Sequence, residues 1–219
     1  MSDFAGLRER MVERQIAGRG LDDPVLLAAF RAVPRELFVN ADYAGAAYAD
    51  SPLPIERGQT ISQPYIVALT IDAAGIHGDS KVLEIGAGSG YAAAVIGQIA
   101  RQVIAIERHH ELVRLADERM RRLGYDNVVI VEGDGTLGCP EQAPFDAIVA
   151  AASGSHVPQA LVDQLKPGGR IVMPLGPPGL SQSLIKLTKH ADGRLERADL
   201  GGVRFVPLIG REGFASRAE

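Results

Sequence analysis

Val82-Leu83-Glu84-Ile85-Gly86-Ala87-Gly88-Ser89-Gly90-Tyr91 is the stretch around which this chain of 219 residues is organised. A short apolar run carrying one acid breaks into glycines, and an alanine-rich, helix-compatible stretch begins at Tyr91. That order predicts strand, glycine turn and helix. Glycine allows positive φ and close backbone approach, and a helix N-terminus offers unpaired N–H groups to a ligand. At the carboxyl end of a strand, such a loop is where an open α/β sheet binds its cofactor.

Downstream of the loop, apolar runs alternate with helical patterns. Val103 to Glu107 reads as a strand, and Leu112, Leu115, Ala116, Arg119 and Leu123 recur at helical spacing up to Gly124. Val128 to Val131 and Phe145 to Ala150 are the next strands. Val157 to Leu165 reads as a helix, Lys166-Pro167-Gly168-Gly169 as a turn and Arg170 to Pro174 as a fifth strand. Near-continuous apolar strands linked by helices of about ten residues indicate a parallel sheet covered on both faces. Around residues 183–188 the period falls to two, and Asp192-Gly193 marks a turn before an extended stretch to Leu208. The expected fold is α/β: a Rossmann-like, doubly wound, mostly parallel sheet with an antiparallel C-terminal edge and an N-terminal helical and loop extension.

Upstream, Phe4, Leu7, Met11 and Val12 share one side of a helix, and Asp22-Asp23-Pro24 is a cap-plus-proline start for a second that Pro34 stops. From Val39 to Thr60 the period is lost, and an irregular stretch of roughly twenty residues is more often functional than idle. Ile66, Val67, Leu69, Thr70 and Ala73 suit a helix closed by Gly75. One domain is expected over 1–219, with 1–80 as the extension carrying part of the substrate site, 81–210 as the cofactor-binding core and 211–219 as a loose tail.

Composition narrows the classes. The chain is 46% hydrophobic and 23% charged, which suits a folded globular protein rather than a disordered one. Its formal charge of −4 lacks the electrostatic footprint of a general nucleic-acid binder. The single cysteine, Cys139, cannot form an internal disulfide and suits a reducing compartment. Met1 to Gln15 has no apolar core of the secretory-signal kind, and no stretch reaches the ~18 apolar residues of a membrane span. A cytoplasmic monomer is expected, with neither nucleic acid nor membrane as partner. His109 and His110 are helix neighbours facing different ways, and His77, His156 and His190 are scattered, so no metal site is expected.

Which cofactor the loop takes is read from its spacing. The dinucleotide fingerprint places a glycine where this chain has Tyr91, and Glu84 stands two residues ahead of Gly86, which suits a ligand without a pyrophosphate. Glu107 ends the second strand 21 residues after Gly86, where an acid accepts hydrogen bonds from both ribose hydroxyls of a nucleoside. Asp134, between Gly133 and Gly135, is placed to meet an adenine amino group, although Gly-Asp-Gly is equally an ordinary turn. Leu165 to Gly169 resembles the glycine-rich entry common in S-adenosylmethionine-dependent methyltransferases.

A more specific resemblance rests on blocks spread from about residue 10 to about residue 210. These are Val33 to Val39, Gly58-Gln59-Thr60-Ile61-Ser62-Gln63-Pro64-Tyr65, the glycine loop, Ile106-Glu107-Arg108, Gly133-Asp134-Gly135, Ala143 to Ile148 and Val203-Arg204-Phe205-Val206-Pro207-Leu208. Together they resemble the protein-L-isoaspartate O-methyltransferase family of the class I methyltransferases. The block from Gly58 to Tyr65 is far more specific to that family than the loop.

The resemblance implies methyl transfer from S-adenosyl-L-methionine to the α-carboxylate of L-isoaspartyl residues in damaged proteins and peptides, leaving S-adenosyl-L-homocysteine. It implies a cofactor site of Glu84, Gly86, Gly88, Ser89, Gly90, Glu107, Arg108, Asp134 and Gly135. Ser62 becomes the catalytic residue, Gln59 and Thr60 shape its pocket, and Val203, Phe205 and Val206 offer backbone to a peptide. Ser62 has a competing use, because a serine before Gln63-Pro64 and a helix is also a good N-cap. Glu56-Arg57 departs from the family, which has there a smaller pair including glycine. A class I methyltransferase for another peptide or small-molecule carboxylate stays open at this point, as does a non-catalytic cofactor binder of the same fold.

Overall fold

The computed structural model describes residues 3–215. Phe4–Met11 (α1) is capped by Asp3, whose carboxylate accepts from Gly6 N at 2.9 Å. Pro24–Ala32 (α2) starts on Asp23, whose Oδ1 accepts from Val25 N and Leu26 N. In the stretch expected to be irregular, Leu53–Pro54 (β1) and Thr60–Ile61 (β2) pair as a small antiparallel hairpin. Pro64–Ala74 (α3) then runs to Gly75, which takes the left-handed conformation that a closing glycine permits.

The core follows as Lys81–Ile85 (β3), Tyr91–Gly97 (α4), Gln102–Glu107 (β4), His110–Leu123 (α5), Val128–Glu132 (β5) and Phe145–Ala150 (β6). It continues with Gln159–Asp163 (α6), Leu165–Leu175 (β7), Gln182–Lys189 (β8) and Leu195–Val203 (β9). The seven long strands form one sheet in the order β5-β4-β3-β6-β7-β8-β9. Pairing is parallel from β5 through to β7 and antiparallel from β7 to β9, which is the doubly wound sheet with an antiparallel edge. β3 lies at the point where successive connections change sides, and an open sheet presents its ligand crevice there.

Strand parity sorts the core into two faces. Val82, Val103, Ala105, Ala147, Val149 and Val172 pack with residues of the N-terminal extension, among them Met11, Phe30, Phe38 and Ile61. Leu83, Ile85, Ile104, Ile106, Ile148 and Ile171 pack on the other side with Leu161, Val162 and Leu208. The N-terminal extension therefore shares its apolar burial with one face of the sheet.

Three local expectations change. The helix read over 157–165 is only α6, and Lys166 to Gly169, read as a turn, lie inside β7 as an outward excursion. Leu165 pairs with Phe145 and Arg170 with Ala147, so residues 166–169 stand opposite Asp146 alone. Asp146 fills that space, accepting from Lys81 N at 2.8 Å and Lys166 Nζ at 2.7 Å. At the C-terminal end, β9 stops at Val203, and the following segment leaves the sheet to dock on Ser153, which bonds Val206 O and Leu208 N. Finally, residues 211–215, expected to be loose, fold back: Arg211 N donates to Asp134 Oδ2, Glu212 N to Thr136 Oγ1, and Phe214 N to Leu208 O. Residues 216–219 of that tail lie outside the described residues.

Candidate active site

A cleft of about 270 Å³ opens at the carboxyl ends of β3 and β4, walled by the glycine loop, the segment after β4, Gly133, Gly135 and residues 206–209. Gly86 and Gly88 line it with φ of 85° and 54°, values that a side-chain-bearing residue adopts only under strain. Glu107, 6% exposed, lines it too. Its Oε2 accepts from Gly88 N at 3.0 Å and its Oε1 from His109 N at 2.9 Å, so the carboxylate is locked onto the glycine loop. A carboxylate offers about four acceptor sites, and two are left for a ligand. Arg108 is exposed at the mouth, and Gln59 and Thr60 reach the same cleft from the β2 side. At Gly135 an added Cβ would stand 2.5 Å from Ile85 Cγ2, so this wall requires glycine.

Other residues expected to hold the cofactor are placed elsewhere. Gly90 is the N-cap of α4 at φ 86°, and a Cβ there would meet Met120 Cε at 3.1 Å and Ala116 Cβ at 3.2 Å. It provides the close helix approach that the last glycine of the dinucleotide fingerprint provides in that motif. Ser89 is buried, and its carbonyl accepts from Arg119 Nη1 at 3.1 Å. Asp134 is absent from the cleft lining, and its Oδ1 accepts from Thr136 N and Thr136 Oγ1, its Oδ2 from Arg211 N. Desolvation opposes ionisation of Asp134, but the bonds from Arg211 and Thr136 outweigh it and hold the carboxyl below its ordinary range. Asp134 caps a turn and anchors the folded-back tail, the ordinary reading of Gly-Asp-Gly.

Strand parity also redirects Glu84. Its position in β3 turns it away from Leu83 and Ile85, toward the N-terminal extension. There it lines a cavity of about 30 Å³, room for about one water, together with Ser62, Ile66, Val67 and Phe205. Glu84 is 2% exposed, and its Oε2 has no hydrogen-bond partner. Burial first, and the Glu107 carboxylate second, push its carboxyl up to about 8.

Ser62 connects two spaces. It lines this cavity and also an outer groove of about 450 Å³, formed by Pro52, Thr60, Gln63, Ser181 and Gly202 to Phe205. Thr60 belongs to both that groove and the main cleft. The competing use of Ser62 falls away, because the N-cap of α3 is Gln63 and no side chain caps that helix end. Val203 and Phe205 line the groove and Val206 the cleft, but the backbone of two of them is already engaged. Phe205 N donates to Gln182 Oε1 at 2.7 Å and Phe205 O accepts from Gln182 Nε2 at 3.1 Å, while Val206 O accepts from Ser153 N. Phe205 and Val206 therefore present side chains, and Gly202 to Arg204 are the part of the segment left facing the groove.

Gln182, Ser153, His109 and Arg35 escaped the reading of the sequence. Gln182, Ser153 and Arg35 find their partners far along the chain, Arg35 standing in the Val33 to Val39 block with no role of its own, whereas His109 bonds Glu107 two residues away and carried a local signal. Within the Glu56-Arg57 pair, Arg57 holds φ 59° and ψ 26°, the left-handed region that a side-chain-bearing residue adopts only under strain. Cys139 is buried, and burial pushes its thiol up to about 11, away from thiolate reactivity. Among the described residues, no group of three or more His, Cys, Asp or Glu side chains is arranged to hold a metal ion.

The geometry thus consists of a glycine-walled cleft with a locked, partly free carboxylate, and a groove that meets it at Thr60 and carries Ser62. Residues 7–213 match a family model described as protein-L-isoaspartate(D-aspartate) O-methyltransferase. The chain is 54% identical over 217 residues to protein-L-isoaspartate O-methyltransferase 1 of Rhodopseudomonas palustris, covering 99% of this chain and 89% of that one. It is 51% identical over 207 residues to protein-L-isoaspartate O-methyltransferase 2 of Pelobacter propionicus, covering 94% and 92%. A solved protein-L-isoaspartate O-methyltransferase superposes with a TM-score of 0.86 at 31% identity, over 94% of this chain and 67% of the other. A Plasmodium falciparum structure described by the same activity, in complex with S-adenosyl-L-homocysteine, superposes with a TM-score of 0.79 at 27% identity, over 92% and 98%.

Proposed function

This chain belongs to the protein-L-isoaspartate(D-aspartate) O-methyltransferase family, and from that membership we infer what its cleft and groove do. It is a class I methyltransferase that uses S-adenosyl-L-methionine to methylate the α-carboxylate of L-isoaspartyl residues in damaged proteins and peptides. The ester formed can cyclise to a succinimide that reopens to normal aspartate, which makes the reaction a repair step. When bound, the cofactor supplies an electrophilic methyl on a sulfonium and leaves as S-adenosyl-L-homocysteine.

The residues present fit that cofactor. Glu107 keeps acceptor capacity for ribose hydroxyls, Gly86, Gly88 and Gly135 let a ligand approach backbone, and Arg108 stands at the mouth. The groove takes the peptide along Gly202, Val203 and Arg204; Thr60 borders both spaces and Gln59 borders the cleft. Ser62 is the residue we place at the reacting carboxylate, its hydroxyl donating to an oxygen of the substrate. The observation that carries this assignment is its position: Ser62 faces the groove and the cavity that shares Ala151 with the cofactor cleft, and it is free of a capping duty.

A carboxylate of pKa near ~4 is already ionised at neutral pH, so the chain needs no general base. What remains is alignment and the removal of water, which otherwise solvates both reacting charges. Phe205, Ile66 and Val67 supply apolar walls beside Ser62 for that second task. We read residues 1–80 and 81–210 as one functional domain, acting as a cytoplasmic monomer on protein substrates and on neither nucleic acid nor membrane. No helix among the described residues is long and apolar enough to cross a membrane.

Methylation of an isoaspartyl peptide is to be compared with its normal aspartyl twin, for the native chain and for Ser62→Ala. The native chain labels the isoaspartyl peptide alone. Ser62→Ala keeps affinity for S-adenosyl-L-homocysteine in calorimetry and loses roughly 10- to 100-fold in kcat, the scale of one misplaced positioning contact. Equal labelling of both peptides refutes the repair activity, and an unchanged kcat refutes the role of Ser62.

A further inference from the structure

The block from Val33 to Val39 takes no part in the chemistry described above, yet it contains an arginine with no exposed surface. Arg35 Nε donates to Ala47 O at 2.7 Å and Nη2 donates to Ser62 O at 2.8 Å. Its Cζ lies 4.7 Å from the centroid of the Tyr91 ring, and Nη1 has no hydrogen-bond partner. Tyr91 is the first residue of α4 and closes the glycine loop, and its ring is held edge-on by Phe30 and Phe38 at 6.3 and 5.5 Å. One guanidinium thus touches both the serine turn and the root of the cofactor loop.

A buried cation whose supports are two carbonyls and an aromatic face is a costly way to fill space, because an apolar side chain of similar volume avoids the desolvation. Burial lowers the Arg35 pKa, and Tyr91 is the first of the groups that oppose that shift. The planar fork explains the choice of residue, since it holds two acceptors in fixed relative directions and lies flat on a ring, neither of which a lysine does. Holding Ser62 O fixes the peptide plane after Ser62 and with it the direction in which the Ser62 side chain leaves the backbone.

We propose that Arg35 is a positioning residue for methyl transfer, setting the distance and orientation between the Ser62 turn and the glycine loop through its bonds to Ser62 O and its seat on Tyr91. The proposal rests on the assignment of Ser62 to the substrate carboxylate. A second brace leaves the fold able to survive its loss: Arg119 Nε donates to Leu37 O and Nη1 to Ser89 O, both at 3.1 Å, tying the same block to the same loop.

Arg35→Lys keeps the charge and removes the fork. Folding is followed by circular dichroism, cofactor-site integrity by calorimetry with S-adenosyl-L-homocysteine, and kcat at saturating isoaspartyl peptide. The expected result is a folded variant whose affinity for S-adenosyl-L-homocysteine stays within about threefold and whose kcat falls by roughly 10- to 100-fold. The double variant Arg35→Lys/Ser62→Ala is no slower than Ser62→Ala alone, because the arginine acts through the serine. A wild-type kcat in folded Arg35→Lys, equal losses in affinity and kcat, or additive losses in the double variant each overturn the proposal. Arg35→Gln, with one amide donor group, is the second variant; if neither folds, the arginine is a structural strut and the proposal falls. An impaired Ser62→Ala beside a normal Arg35→Lys removes only the role of Arg35, whereas a normal Ser62→Ala removes the serine assignment itself.

Discussion

Replacing Glu84 by glutamine tests the electrostatics of the strand that leads into the glycine loop. Glu84 is 2% exposed with an unpartnered Oε2, and burial followed by the Glu107 carboxylate raises its carboxyl from 4.5 to about 8. That shift disfavours the folded, ionised form by about 5 kcal/mol. Because the folded-state value lies above the unfolded one, the stability that protonated Glu84 contributes is fully present below about pH 4.5 and is lost as pH rises through about 8. Glutamine cannot ionise, so the variant escapes the loss. The stability difference between Glu84→Gln and wild type is therefore expected to move in favour of the variant by about 3 kcal/mol between about pH 5.5 and about pH 8.5. The new amide hydrogens lack partners and cost about 1–3 kcal/mol, a pH-independent offset that leaves the slope intact. Urea unfolding of both proteins at several pH values, without cofactor, measures it. A difference that stays flat across this window refutes the buried, protonated carboxyl.

Gln182→Ala releases both backbone groups of Phe205, so the peptide KM rises by about 5- to 50-fold, about 1–2 kcal/mol, while affinity for S-adenosyl-L-homocysteine is held, as calorimetry beside steady-state kinetics reports. Asp134→Ala loses the turn cap and the tail anchor, costing about 1–2 kcal/mol in denaturant titration and raising hydrogen exchange at the Arg211 amide. A collapse of cofactor affinity without that stability loss restores the adenine contact read from the sequence. Arg57→Gly relieves a left-handed backbone at φ 59° and stabilises the chain by about 1 kcal/mol, a rise of about 2–4 °C in Tm; an unchanged or lower Tm shows that the loop tolerates arginine without strain.

Much of the fold was legible because it is written in local patterns. Near-continuous apolar runs locate β3 to β6, helical spacing locates α2, α3 and α5, and caps such as Asp23-Pro24 and Gly75 mark their ends to within a residue or two. The β1–β2 hairpin was not legible, since strands of two residues have no period to detect. The excursion at 166–169 reads as a turn because its Pro-Gly-Gly signal is the same whether the chain reverses or bulges; only the pairing of Leu165 and Arg170 with β6 distinguishes them.

For the site, the sequence determined which residues belong to the cofactor loop and which block names the reaction, because glycine spacing and the Gly58 to Tyr65 motif are contiguous along the chain. Glu107 is placed by the end of β4, and in the structure it lines the cleft. Tertiary structure decided the direction of every side chain whose partner is remote. Strand parity swung Glu84 out of the cleft and beside Ser62, and the returning tail took the carboxylate of Asp134. Arg35 reached across 27 positions to hold Ser62 O, and Gln182 across 23 to hold Phe205. Local sequence fixes backbone conformation through φ, ψ and periodicity, but a hydrogen bond between distant residues exists only after burial has brought them together and excluded water from the gap between them.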